Sequence, residues 1–188
     1  MAEITYLTEN EVSKLLKGIK SVRDKAIFTV MYYAGLRASE VGKLEMRDLR
    51  IGDGRLFIHR LKGSVSGEHI LSPEEFRILR IYLKVRLSAK KIKKVGDTLL
   101  FPSNMGRGIS RSSLYKLFSK YANKIGLPKN RCHPHVLKHS IATHLLENGK
   151  GIEDVQDWLG HKDIRNTIIY ARVTNKRREE TARSFYNR

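Results

Sequence analysis

The chain of 188 residues carries 37 Lys and Arg against 19 Asp and Glu, a formal charge of +18 and a pI near 10.2. A polyanion is therefore the natural partner, and nucleic acid fits better than a membrane, since no apolar run nears the roughly 20 residues that a membrane span needs. A hydrophobic content of 40% suffices for a core, the flank of Met1 has no apolar signal-like stretch, and the single Cys132 excludes an internal disulfide, so a cytoplasmic protein is expected.

Taken in order, Thr8-x-x-Glu11 has the pattern of a capping box, in which a hydroxyl and a carboxylate satisfy free amides at a helix start. Val12, Leu15, Leu16 and Ile19 follow at helical spacing. The next helix is predicted from Ser21 to Ala34, burying Ile27, Val30, Met31 and Ala34, with Gly35 as a left-handed stop. Arg37 comes just after, between two helices, a rigid place from which to present a guanidinium; taken alone, it reads as a surface arginine paired with Glu40. Arg55 to Leu61 alternates like a half-buried strand, and Glu68 to Leu71 returns antiparallel across a turn at Gly63 to Gly67, with Lys62 entering that turn.

Ser72-Pro73-Glu74-Glu75 is a strong helix start, with Phe76, Leu79 and Leu83 on the buried face. From Lys84 to Lys94, eleven residues hold six basic and no acidic side chains, the pattern of a solvated face or of a track for phosphates. Ser110 opens a further helix, with Leu114, Leu117, Phe118, Tyr121 and Ile125 inward, Gly126 as stop, and Arg111 and Lys116 outward as candidate DNA contacts. The stretch from His133 to Tyr170 is densest in chemically active side chains. His135-x-x-Lys138 lies just inside a helix that Pro134 starts and Gly149 stops. A second helix from Ile152 has Val155, Trp158 and Leu159 as core positions and ends at Gly160, which leaves His161 at the exit and Tyr170 nine positions on. Together these elements predict an α+β fold, mainly α-helical with a small antiparallel β-sheet, undivided by any linker or repeat.

Three segments in this order, GLRASEVGKLEMRDL, HPHVLKHSIATHLLENG and LGHKDIRNTIIY, resemble the tyrosine recombinase (phage integrase) family. There the run is Arg, a hairpin Lys, His-x-x-Arg, His or Trp, and a nucleophilic Tyr. The likeness extends to its Xer-type and short fimbrial phase-switch members. It implies a catalytic domain over residues 1–174, either without the N-terminal DNA-clamping domain of most members or as a catalytic fragment of a longer protein, and a basic tail over 175–188 of the kind that family members often lend to a neighbouring subunit. It further implies double-stranded DNA as partner, a homo-tetramer on paired sites that is monomeric or weakly associated when free, a nucleoid-associated location, and neither metal nor cofactor. The site residues it assigns are Arg37, Lys62, His135, Lys138, His161 and Tyr170. The second arginine of the pattern is Lys138 here.

Those residue types suit phosphodiester cleavage without a metal. A phenol with a pKa near 10 is a weak nucleophile at neutral pH unless basic neighbours favour its phenolate. By the resemblance, Tyr170 attacks, Arg37 and Lys138 hold the non-bridging oxygens, His135 and His161 hydrogen-bond the phosphate or assist proton transfer, and Lys62 protonates the leaving oxygen. An ammonium is a point charge where a guanidinium grips two oxygens, so on residue type alone activity is expected to be slow and Lys138→Arg to raise it. Competing readings are a DNA-binding regulator with a decayed site and a type IB topoisomerase. A zinc site on His135 and His139 is disfavoured because Val136 stands where the zinc-protease motif has glutamate. Cys132 is expected to be buried or incidental, His139 and His144 to pack or cap within their helix and Trp158 to be core, and Tyr170 is one of eight tyrosines, distinguished by its distance from the LGH segment.

Overall fold

The structure is a computed structural model that describes residues 4–61, 63–88, 98–171, 183, 185 and 186. Its axis is a pair of helices, α2 (Val22–Tyr33) and α6 (His135–Glu147). Ala26, Ile27, Phe28, Val30 and Met31 of the first and Val136, Leu137, Ile141, Ala142 and Leu146 of the second are all buried. Both helices are buried on nearly every side, polar residues such as Thr29, Ser140 and Thr143 included, so they form the interior. Amphipathic helices α1 (Glu9–Gly18), α4 (Pro73–Ser88) and α5 (Arg111–Lys124) pack around them. The helix starts are those the sequence predicts: Thr8 and Glu11 close the capping box of α1, while Ser21 and Ser110 accept amides at the starts of α2 and α5.

Three antiparallel strands, β1 (Leu49–Arg50), β2 (Arg55–Ile58) and β3 (Gly67–Ile70), lie in that order, with Leu56 opposite both Leu49 and His69. The sequence predicts only the last two, because β1 is too short to show alternation. Buried His69 binds the carboxylate of buried Glu75 at 2.9 Å, and Glu75 also accepts the Ser72 amide at 2.8 Å, so the sheet is fastened to the start of α4.

Two expectations change. Trp158 is 40% exposed, because Val155 and Leu159 fill the buried face of α7 (Ile152–Leu159) and the indole N–H needs an acceptor, which it finds in the Tyr33 carbonyl at 2.7 Å. Arg86, within the basic run expected to be solvated, is buried and donates to the Leu99 carbonyl at 2.6 Å. Residues 89–97 of that run lie outside the described residues, as does most of the tail. Among the described residues no helix is long and apolar enough to cross a membrane.

The chain then turns sharply twice where the site forms. Gly35 after α2 and Gly160 after α7 have φ of 58° and 63°, in the left-handed region that favours glycine. A Cβ would sit 2.7 Å from the Leu159 side chain at Gly35 and 2.5 Å from the Val65 carbonyl at Gly160, so these turns also allow close approach.

Candidate active site

Arg37 stands in extended backbone just ahead of α3 (Ala38–Val41), the short helix it starts. Its amide donates to Glu40 Oε2 at 2.7 Å, and its Nη1 donates to Glu40 Oε1 at 3.0 Å and to Ser64 Oγ at 3.1 Å. The pairing with Glu40 is real, but Glu40 is buried and serves as an anchor. Burial by itself would push the Glu40 carboxyl up; the Arg37 amide, Arg60, Lys138 and the Arg37 guanidinium outweigh it and hold the pKa below the usual carboxylate range. The anchor is therefore ionised, and it fixes one edge of Arg37. Among the described residues, Nε and Nη2 of Arg37 have no partner, which leaves the other edge of the fork for an anion.

The β2–β3 hairpin closes over this arginine. Val65 donates its amide to Gly160 at 2.9 Å, and Ser64 pairs with His161 in an isolated antiparallel bridge. The turn is closed by the Ser64 amide on the Leu61 carbonyl at 2.9 Å. Lys62, between them in sequence, lies outside the described residues.

Arg60, on the same hairpin, is a site residue that the sequence reading missed. Its side chain is buried and donates to Glu40 Oε2 at 3.0 Å and to the carbonyls of Gly35, Ala34 and Trp158 at 3.1, 2.9 and 3.1 Å. The carboxyl ends of α2 and α7 carry partial negative charge, and one guanidinium ties both to the hairpin. Nothing in the sequence separates this arginine from the other basic residues near the turn.

Lys138 and His135 lie on α6, one turn apart. Lys138 is 1% exposed, and its amine donates to the carbonyls of Gly35 at 3.0 Å and Leu159 at 3.2 Å. A lysine ammonium has three N–H donors, so two are engaged with backbone and one remains. Burial above all, then Arg60 and Arg37, push the amine well below its ordinary pKa against the pull of Glu40. The ring of His135 reaches solvent, and among the described residues neither of its nitrogens has a hydrogen-bond partner. Partial burial, followed by Lys138, His133, Arg37 and Arg111, lowers its pKa to about 4. Arg111, exposed at the start of α5, thus lies close enough to influence the site, while Lys116 is exposed farther along the same helix.

His161, at the exit of α7, is buried, with Nδ1 3.0 Å from Thr167 Oγ1 of α8 (Arg165–Ala171). Its pKa falls to about 4 through burial and then Lys138, Arg37 and Arg60, with Glu40 opposing. Tyr170 of α8 is 2% exposed, and its hydroxyl meets His139 Nδ1 at 3.1 Å. Burial raises the Tyr170 pKa to about 12, and Arg37 is the cation that draws it back. His139, expected to pack or cap within its helix, is in hydrogen-bond contact with the phenol and edge-on to His135, with 4.4 Å between ring centroids. His144 does pack in the core, on Tyr32 at 2.8 Å. Among the described residues no three potential ligands gather as a metal site.

The arrangement brings the free edge of a guanidinium, a buried amine, two neutral imidazoles with unpaired nitrogens and a phenol to the junction of α2, the hairpin, α6, α7 and α8. With its cations and neutral imidazoles, it is built to receive an oxyanion. The sequence is 34% identical over 188 residues to tyrosine recombinase XerD of Listeria innocua, matching 97% of this chain and 62% of the relative, so the chain spans about three fifths of the length of such curated relatives. A crystal structure of XerA recombinase is similar with a TM-score of 0.82 and 28% identity, covering 96% of this chain and 63% of that one. A post-cleavage complex of XerH site-specific recombinase with palindromic difH substrate has the same TM-score of 0.82 at 25% identity, covering 100% of this chain and 54% of that one. The family profile described as "Phage integrase family" matches residues 5–177, and by that match the chain belongs to the phage integrase family.

Proposed function

We propose that this chain is the catalytic part of a site-specific recombinase that cleaves and rejoins double-stranded DNA through a 3′-phosphotyrosine intermediate. The observation that carries this reading is the convergence of Arg37, His135, His161 and Tyr170 from separate elements around one anion-receptive point, in a chain with formal charge +18. The similar proteins are named tyrosine recombinase and site-specific recombinase, which supports the same reading.

In this mechanism a backbone phosphate docks on the free edge of Arg37, on the remaining Lys138 N–H, and on the unpaired nitrogens of His135 and His161. Its negative charge favours protonated imidazoles and offsets the crowding of cations. The Tyr170 oxygen attacks phosphorus as its proton passes to a neutral imidazole of the site, His135 or His161, the bond to the 5′ oxygen breaks, and Lys62 protonates that oxygen, as the family pattern assigns. The phosphotyrosyl bond keeps the energy of the broken linkage, so a 5′ hydroxyl of a second strand reverses the step without ATP. Assembly as a homo-tetramer on paired sites, with exchange of the tail, belongs to the same reading, as do nucleoid association and phosphate contacts by Arg111 and Lys116.

A nicked suicide duplex, from which the released strand diffuses away, tests the proposal. A covalent protein–DNA adduct that forms with the parent chain and is lost in Tyr170→Phe is the expected result. DNA binding without an adduct under conditions that permit cleavage would leave a non-catalytic regulator in its place, and supercoil relaxation without a paired site would leave a topoisomerase.

A further inference from the structure

The assigned residues do not explain what keeps the phenol of Tyr170 in place before DNA arrives. Burial of a tyrosine hydroxyl demands a hydrogen-bond partner. Here that partner is His139 Nδ1, at 3.1 Å, from a helix in contact with α8. His139 lies one helical turn beyond His135 and next to Lys138, so the same turn of α6 that faces the phosphate site also faces the phenol. We propose that His139 is a positioning residue for the nucleophile: a neutral imidazole whose Nδ1 accepts a hydrogen bond from the Tyr170 hydroxyl and holds the phenol at the edge of the phosphate site.

Several observations converge on this role. A neutral imidazole accepts through one nitrogen only, so an accepting Nδ1 goes with the tautomer that has its hydrogen on Nε2. The ring is pinned from the other side by His135, edge-on with centroids 4.4 Å apart, so its orientation depends on a residue of the phosphate site. Burial first, then His135, His133, Lys138 and His161, take the His139 pKa to about 3, which keeps the ring an acceptor at neutral pH. An imidazolium would donate through both nitrogens and repel the phenolic hydrogen. Acting as an acceptor that orients, His139 leaves Tyr170 protonated at rest, in line with its pKa of about 12. The consequence is a phenol held close to its target by one directional bond, in place of a side chain free to rotate.

This inference rests on the recombinase reading, so two measurements separate the two. The first needs no DNA and no activity: long-range proton–nitrogen NMR of the imidazoles in the free chain. Tyr170→Phe should leave the Nε2–H tautomer of His139 and move its Nδ1 resonance toward that of an unbonded nitrogen; an unmoved resonance overturns the proposal. The second is single-turnover adduct formation at saturating nicked duplex with His139→Phe, which keeps ring volume without an acceptor, and His139→Asn, whose amide oxygen reaches the Nδ1 position. His139→Phe should lose about a hundredfold in maximal rate, the order expected for a misplaced reacting group, with unchanged DNA affinity and melting temperature. His139→Asn should recover most of that loss. Equal impairment of both variants, or none in either, refutes the positioning role, whereas a parent chain that forms no adduct while the NMR result holds removes the recombinase reading alone.

Discussion

Residue type alone suggests that arginine at position 138 would grip phosphate better than lysine, yet the packing around that position argues the reverse. The Lys138 amine ends against the carbonyls of Gly35 and Leu159, and the Gly35 carbonyl also accepts from Arg60 at 3.1 Å. A guanidinium is a planar fork, wider than an ammonium, and Arg60 already occupies that ground. Overfilling a well-packed interior costs about 1–3 kcal/mol. Charge adds to this, since burial, Arg60 and Arg37 together lower the lysine pKa, whereas an arginine cannot shed its proton. Lys138→Arg is therefore expected to destabilise the chain by about 2 kcal/mol, a fall of about 4–8 °C in Tm for a protein of this size. It should also fail to accelerate cleavage, because the new fork must displace Arg60 before it can face the phosphate. Thermal melts and single-turnover adduct formation on a nicked duplex measure both effects. Removing Arg60 in the same chain should relieve the conflict, so a double-mutant cycle of Lys138→Arg with Arg60→Gln should show favourable coupling of about 0.5–3 kcal/mol. Parent-like stability together with faster cleavage by Lys138→Arg would falsify this account of the pocket.

Glu40→Gln should destabilise by about 3–5 kcal/mol, since it removes the buried anion that Arg37 and Arg60 share; urea denaturation measures this, and a change under about 1 kcal/mol would mean the cations find other partners. Acid should weaken the fold through His161, whose folded pKa of about 4 lies below its unfolded value near 6.5: the unfolded chain takes up the proton first, so stability present above pH 6.5 is lost as pH falls toward 4. At about 1.4 kcal/mol per pKa unit, His161 contributes about 3 kcal/mol of that loss, and a flat urea midpoint between pH 7 and 4.5 would contradict it. Affinity for duplex DNA should fall steeply with salt, with a log–log slope of about 0.9 per phosphate neutralised; a slope near zero in filter binding or anisotropy would remove DNA as the partner.

The parts of the fold legible in the sequence are those governed by local chemistry. Caps at Thr8, Ser21 and Ser110 and stops at Gly35 and Gly160 mark helix ends because their groups act within a few residues of themselves. Arg37, His135, His161 and Tyr170 are singled out in another way, through the order of three segments that resemble one family. Interactions that join distant parts of the chain were not. Arg60 reads as one more basic residue near a turn until the carboxyl ends of α2 and α7 are brought to it, and Arg86 reads as part of a solvated run until the Leu99 carbonyl covers it. His139 stands at a spacing that suits packing as well as contact with a phenol, and only the return of α8 onto α6 decides between them.

Lys138 joins both kinds of information. Compared with the family pattern, it is a lysine where an arginine is expected; set beside Arg60, it is half of a pair that shares one carbonyl, with the guanidinium supplied from the hairpin and the smaller amine from α6. A guanidinium at each position would place two bulky, permanently charged groups on that carbonyl, so the residue at 60 constrains the residue at 138. The departure from the pattern is then a property of the pair, and each of the two residues has to be judged with the other in place.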